Sequence, residues 1–376
     1  MSFENKVGKL KKVIEGCGGF DKFMASKFRE LIEPKKEGEK PLMVPEDFSL
    51  KELYEAVNTS QFPVITGELL SKKVIQGFNE YPGIADQLVT KFTSKLKTDT
   101  IPGAFLKGDL EDIPEGGGYP HSGDIEEFYV TISGSKRGEI LDITDEAIRF
   151  DQTGLIMLKA AKFGERAAKD REKSVIYTIM DATVGGKNYY AYYPGGTRTA
   201  LYRSSDGTSS NVGGGVLYTN QITDVLADYT DLDAAEAVFD DIMDENGDPI
   251  DVMSNNMILL TARALKGTAS RLTRNQIMPA NSGSSVGQHE NNPYYNLKTL
   301  FSPWIDKGNN ATYWYYGDFK RQFLEKVVIP LQVLTRKDNK NDAAWERDVV
   351  AQYKVRRFSK VGAIDHRYVV ESTGGN

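Results

Sequence analysis

The sequence predicts an α+β fold divided into more than one lobe, and three observations carry that prediction. Residues 231–274 read as helix, hairpin, strand and helix. An amphipathic stretch at 153–182 is long enough to be a spine. The closing region holds short β-branched and aromatic runs, ATYWYYGD, EKVVIPLQVLT and WERDVVAQYKVRRFSKVGAIDHRYVVES. With 376 residues, 40% of them hydrophobic and 27% charged, the chain has the balance of an ordinary folded protein and the length for two or three lobes. A formal net charge of -6 argues against a protein that grips nucleic acid by neutralising many phosphates, and leaves only weak, non-specific contact with DNA. No apolar run reaches the roughly eighteen residues of a membrane span, and the N-terminus lacks the apolar stretch of a signal peptide. The expectation is a cytoplasmic protein without membrane contact. Cys17 is the single cysteine, with no Cys or His beside it at ligand spacing, and reads as a small apolar residue.

From the N-terminus, residues 20–32 place Phe20, Phe23, Met24, Phe28 and Leu31 at helical spacing, and residues 50–57 form a second short helix with Ser49 as its cap. Between them EPKKEGEKP is too charged and too rich in Pro and Gly to pack, so residues 1–60 read as an arm, with an ordinary helical subdomain as the alternative. Leu69, Leu70, Val74, Ile75 and Phe78 give the next helix, which Tyr81 and Pro82 end. Residues 101–127, including LEDIPEGGGYPHSGDIEE, read as a long loop whose Gly, Pro, Asp and Ser content suits reception by something outside the subunit.

Alternation at Phe128, Val130 and Ile132, then at Ile140 and Ile143, predicts two strands paired around residues 133–138. The helix at 153–182 carries Leu155, Leu158, Ala161, Ala168, Val175 and Ile179 on its apolar face, with Glu165 and Lys169 four apart on a charged one. Unbroken, it would be about 45 Å long. The aromatic run NYYAYYPGGTRTALY and the Gly/Ser stretch after it read as hairpin-like and turn-rich. Asp233 is placed to cap a helix to Met243, Asn246 and Gly247 suit a tight turn, residues 257–260 read as a buried strand, and residues 262–272 return as a helix.

Catalytic and metal patterns find little support. Gly283, Ser285 and Gly287 match GxSxG, but that elbow needs a strand before it and a helix after it, whereas MPANS and QHENNPYYN are loop-like, and His289 is too close in sequence to be evidence of a triad partner. In DENGDP, Asp244, Asn246 and Asp248 alternate as in a calcium loop, but Pro249 stands where the turning glycine belongs. His121, His289 and His366 are scattered. The carboxylates of the 101–127 region, among them Glu111, Asp112, Glu115, Asp124 and Glu126, have no fixed geometry for acid/base work and suit a solvated loop that meets basic residues on a neighbour.

The order of elements (arm, acidic Gly-rich loop, strand pair, long helix, α+β lobe, late strands) resembles the major capsid proteins of tailed bacteriophages, with the HK ninety-seven-like coat fold. FPVITGELLSKKVIQGFNEYPGIADQL, EDIPEGGGYPHSGDIEE, SKRGEILDITDEAIRFD and LKAAKFGERAAKDREKSVIYTIMD, with KVRRFSKVGAIDHRYVVES near the end, are similar to the Mu-type major head subunits. The likeness covers residues 61–372. It implies a helical segment (61–100), an extended loop (101–130), a peripheral domain (131–223) with a spine helix (153–182), an axial domain (224–320) and return strands (321–376); residues 1–60, the N-terminal arm, depart from it and read as a lineage-specific arm or a retained scaffold-like segment. Glu111, Asp112, Glu115, Tyr119, Asp124 and Glu126 would lie over the adjacent subunit. Leu155, Leu158, Glu165, Arg166, Lys169 and Arg171 would build the spine. Ser285 and His289 would sit in an axial loop near the centre of a pentamer or hexamer. Some relatives cross-link neighbours through a Lys and an Asn; Lys107 lies near the loop without a matched partner. The resemblance implies no enzyme and no cofactor. The partners it implies are further copies in an icosahedral shell around double-stranded DNA, with scaffold, portal and decoration proteins. An encapsulin-like compartment shell, and a serine hydrolase using Ser285, stand as alternatives.

Overall fold

Three short runs, ILLTA, WYYG and VVES, are buried at every position, so each must be covered on both faces. They form the middle of the main sheet in the computed structural model, which describes residues 62–106, 125–144, 146, 155–204, 219–242, 251–279, 289–307, 311–336 and 349–375. The order opens with α1 (Phe62–Asn79), α2 (Ala85–Leu88), β1 (Thr90–Thr93), β2 (Thr98–Leu106), β3 (Ile125–Ser133), β4 (Ser135–Thr144), the long helix α3 (Leu155–Ile179), β5 (Thr183–Val184), β6 (Lys187–Asn188), β7 (Gln221–Ile222) and α4 (Tyr229–Asp240). It continues with β8 (Ile258–Ala262), a 3-10 turn at Arg263–Leu265, α5 (Lys266–Arg274), β9 (Ile277–Pro279), β10 (His289–Asn291), β11 (Lys298–Ser302), α6 (Pro303–Lys307), β12 (Trp314–Gly317), α7 (Phe319–Gln322), β13 (Phe323–Arg336), β14 (Val349–Ala363) and β15 (Val369–Ser372).

The chain divides into two compact units. Of the described residues, the first takes those within 62–82, 137–168 and 331–357; the second takes those within 83–136, 169–330 and 358–375. Strands join as β1-β13-β14-β4 in one sheet and β11-β8-β12-β15-β7 in another, with two-stranded pairs β2-β3, β9-β10 and β5-β6.

In the first unit, α1 and α3 touch backbone to backbone. A Cβ added to Gly77 would lie 2.2 Å from the Ala161 carbonyl oxygen, and one added to Gly164 would lie 1.9 Å from that of Val74. Glycine inside a helix weakens it, and here both glycines are used for close approach. Leu70 and Val74 of α1, and Ile156 and Ala160 of α3, are buried.

The second unit is built on the five-stranded sheet, whose alternate residues feed two cores. Ile258, Leu260, Ala262, Leu300, Tyr315 and Val369 face one that also holds Val175, Ile179, Tyr192 and Leu201. Leu259, Trp314, Tyr316 and Val370 face the other, which is closed by Leu232, Ala235 and Phe239 of α4 and Ala269 of α5. This is the period-two split of a strand buried on both sides. On that second face α5 packs over β8 and β11, and α4 packs over β15, toward opposite edges of the sheet.

Five readings of the sequence are corrected. The strands around residue 134 both exist but do not pair with each other: β3 pairs antiparallel with β2, from Thr98↔Ser133 to Leu106↔Ile125, while β4 joins β14. Part of the 101–127 stretch is therefore ladder, since Gly103 and Pro102 are tolerated in a ribbon with open edges. The aromatic run after α3 is core: Tyr189, Ala191, Tyr192 and Leu201 are buried, although the segment is mostly irregular. Leu158 is 56% exposed, because the buried stripe of α3 steps through Ile156, Ala160, Gly164, Ala168 and Val175. The cap of α4 is Asp228, whose side chain accepts from the Thr230 backbone while Asp231 completes a capping box; Asp233 instead accepts from the Tyr294 hydroxyl at 2.6 Å. The arm helices, Cys17, the 244–249 turn and Ser285 lie outside the described residues.

Candidate functional site

A protein that works by packing against other molecules uses surfaces and the framework that holds them. The most prominent described surface element is the β2–β3 ribbon, nine residue pairs long. Its base is held by a bridge between Val130 and Pro194, with Gly195 N–H donating to the Tyr129 carbonyl at 2.9 Å and Thr131 N–H donating to the Tyr193 carbonyl at 3.1 Å. Beyond that base no further strand pairs with it among the described residues. Of the predicted loop residues, Glu126 falls on β3, opposite Phe105. Glu111, Asp112, Glu115, Tyr119 and Asp124 lie outside the described residues.

The spine residues divide by environment. Leu155 opens α3. Exposed Lys162 pairs with Glu165 at 2.7 Å, and Arg166 with Glu139 at 3.3 Å. Lys169 is exposed. Arg171 is different. Its Nε donates to both oxygens of Glu325 on β13 at 3.0 and 3.1 Å, and its Nη2 donates to Glu325 and to Asp86 of α2 at 2.5 and 2.7 Å. The Glu325 side chain is only 3% exposed. Burial alone would lower the Arg171 pKa, but the hydrogen bonds to Glu325 and Asp86 outweigh it and raise it. The same Arg171 bond, helped by Lys91, pulls the Asp86 carboxyl down to about 2. On the next residue of β13, buried Lys326 pairs with Asp99 of β2 at 2.6 Å and donates to the Ile132 carbonyl at 3.3 Å. These two ion pairs fasten β13 to the long helix and to the base of the ribbon, and they are not among the sequence-based expectations. The one available signal was the Glu325–Lys326 pair at the start of an apolar strand.

Glu371 and His366 are also buried in the second unit. Glu371 sits in register between Tyr315 and Gln221 on neighbouring strands. It accepts from the Tyr315 hydroxyl at 2.9 Å and from Gln221 Nε2 at 2.5 Å. Burial pushes its carboxyl up to about 7, against the opposing effect of those two bonds. His366 is buried beside the Tyr192 hydroxyl, 3.4 Å from Nδ1. Burial lowers its pKa to about 4, although Asp365 opposes the change. Of the remaining predicted site residues, His289 begins β10, paired with Pro279, and Ser285 is outside the described set. Among the described residues no group of three or more His, Cys, Asp or Glu could hold a metal ion, and no helix is long and apolar enough to cross a membrane.

The phage capsid protein family matches residues 128–372. The capsid of cyanophage P-SCSP1u superposes with a TM-score of 0.50 at 12% identity, covering 92% of this chain and 93% of that one. The mature capsid of bacteriophage PhiM1 gives 0.47 at 9% identity, over 78% of this chain and 87% of that one. The capsid of the native GTA particle gives 0.46 at 10% identity, over 92% and 96%. Comparison with curated proteins yields no match. The family match spans most of the chain, including the long helix and the five-stranded sheet, and the fold likeness to the cyanophage capsid agrees with it. The chain therefore belongs to the phage capsid protein family, as a structural major capsid protein with the HK ninety-seven-like coat fold.

Proposed function

We propose that copies of this chain form pentamers and hexamers that close an icosahedral shell around phage double-stranded DNA, with no catalytic step and no cofactor. The β2–β3 ribbon is the observation that carries this reading. A two-stranded ladder standing alone is marginal in water, so a ribbon of this length gains stability when a neighbouring copy receives it. The acidic residues Glu111, Asp112, Glu115, Asp124 and Glu126, with Tyr119, then lie over the adjacent subunit. Residues 1–60 act as an arm, residues 131–223 and 321–376 form a peripheral domain around the long helix, and residues 224–320 form an axial domain. The loop with Ser285 and His289 lies near the capsomer centre. Assembly takes place in the host cytoplasm, with scaffold, portal and decoration proteins as further partners, and the acidic chain touches DNA only weakly.

Electron microscopy of the purified full-length chain tests the proposal. Closed shells of uniform size are expected. A monodisperse monomer at all concentrations defeats it. Cargo enzyme in place of DNA inside shells from infected cells would turn the reading toward a compartment protein, and esterase activity lost in Ser285→Ala would turn it toward a hydrolase.

A further inference from the structure

Charge in the second unit is segregated along the sequence, although the Asp306 carboxylate accepts from the backbone N–H groups of Arg263 and Ala264. Residues 204–262 contain twelve acidic residues and no Lys or Arg. Residues 263–289 then contain Arg263, Lys266, Arg271 and Arg274 and no acidic residue. All four cations are on the 3-10 turn and α5, all are exposed, and none has a carboxylate at ion-pair distance among the described residues. Lys266 lies over the Phe301 ring at 5.8 Å, and Arg271 Nη2 donates to the Thr268 hydroxyl at 3.3 Å; both contacts leave the charge uncompensated. Tyr295 stands 44% exposed next to Asn296, whose N–H is bonded to the Thr273 carbonyl of the same helix.

The acidic counterpart is α4. It has no basic residue, and exposed Asp240 and Asp241 sit at its C-terminal end, where the helix dipole disfavours negative charge. A cation supplied from outside the chain would relieve that. Within one copy α4 packs over β15 and α5 over β8 and β11, and among the described residues no ion pair joins the two helices. A head-to-tail neighbour can join them. We infer that the basic face of the 3-10 turn and α5 docks onto the acidic face of α4 on the next copy around a ring, so that one interface repeated by rotation satisfies both.

This inference rests on the proposed ring assembly, and the test separates the two. Arg271→Glu with Arg274→Glu places acid against acid at every junction; Asp240→Lys with Asp241→Lys places base against base. Each pair should lower the assembled fraction about tenfold or more at physiological salt. All four substitutions in one chain restore opposite signs and should restore assembly. The four positions are exposed and outside both cores, so circular dichroism melts of the unassembled chains should remain close to wild type. Shells from either pair of substitutions at wild-type yield overturn the inference and leave the shell reading intact. Failure of the fourfold variant to recover, with an unchanged melt, also overturns it. Should the Arg271→Glu/Arg274→Glu chain assemble normally but lose retardation of double-stranded DNA, the face is a nucleic-acid surface instead. A wild-type chain that forms no rings or shells defeats the shell reading itself.

Discussion

Glu371 and His366 titrate over overlapping ranges with opposite effects on stability. With its carboxyl raised from 4.5 to about 7, folded Glu371 keeps a proton that the unfolded chain has released. Its contribution is intact below pH 4.5 and is lost as pH rises through 7, amounting to about 3 kcal/mol. His366, lowered from 6.5 to about 4, stays neutral while the unfolded chain becomes charged, so its contribution is intact above pH 6.5 and is lost as pH falls through 4. Between pH 4.5 and 6.5 the two slopes oppose each other, and this pair adds little pH dependence to the wild type. Glu371→Gln removes one slope. At pH 8 the variant should be more stable than wild type by up to about 3 kcal/mol, and it should lose stability steadily on acidification below pH 6.5. Urea unfolding of the dissociated chain at pH 5 and pH 8 reads both effects; a variant weaker than wild type at pH 8 would contradict the assignment. Arg171 offers a second test. Arg171→Met leaves the buried Glu325 carboxylate without its partner and should cost about 3–5 kcal/mol, whereas Arg171→Met with Glu325→Leu should recover most of that loss.

At the scale of elements, the crossing of α1 and α3 depends on two positions without a side chain. Gly164→Val must push the helices apart, because the intruding atom meets the Val74 backbone and not the end of a flexible side chain. The first unit should lose about 1–3 kcal/mol or more, and trypsin should cut faster at Lys72 and Lys73 of α1. Gly267 of α5 is a fitting control. A Cβ there meets nothing within 4 Å, so Gly267→Ala should be neutral or stabilising by up to about 1 kcal/mol. These elements also show what the sequence could reveal. Long periodic stretches were legible: the helix ended by Pro82, the long helix α3, and the buried strand at 258–262 stand close to where spacing placed them. Sheet partners were not. One residue, Gly134, separates β3 from β4, and adjacency suggested a hairpin, yet the apolar faces of those strands are covered from distant parts of the chain. Cap choice failed in the same way, since a segment with aspartates at 224, 228, 231 and 233 offers several equivalent local candidates, and only the fold selects Asp228. Arg171, Glu325, Asp86 and Asp99 were individually visible as charges, but ion pairs spanning more than eighty residues of sequence leave no local pattern.

For the whole molecule, the decisive question is whether the ribbon serves this chain or its neighbour. Among the described residues, neither buried core of the second unit includes any between 90 and 129; Val130 is the first one back. A chain in which residues 104–127 are replaced by a short Gly-Ser turn keeps the base of the ladder, the Lys326–Asp99 pair and both cores. If the distal ribbon were part of this subunit's own stability, removing it would lower the unfolding temperature. If it is received by a sister copy, the melt of the dissociated chain should move by no more than a few degrees, while assembly, which depends on many modest contacts repeated by symmetry, should stop before closed shells form. Calorimetry and electron microscopy on the same preparation distinguish the cases. Shells of normal size from the shortened chain would remove the ribbon from any account of how copies hold together.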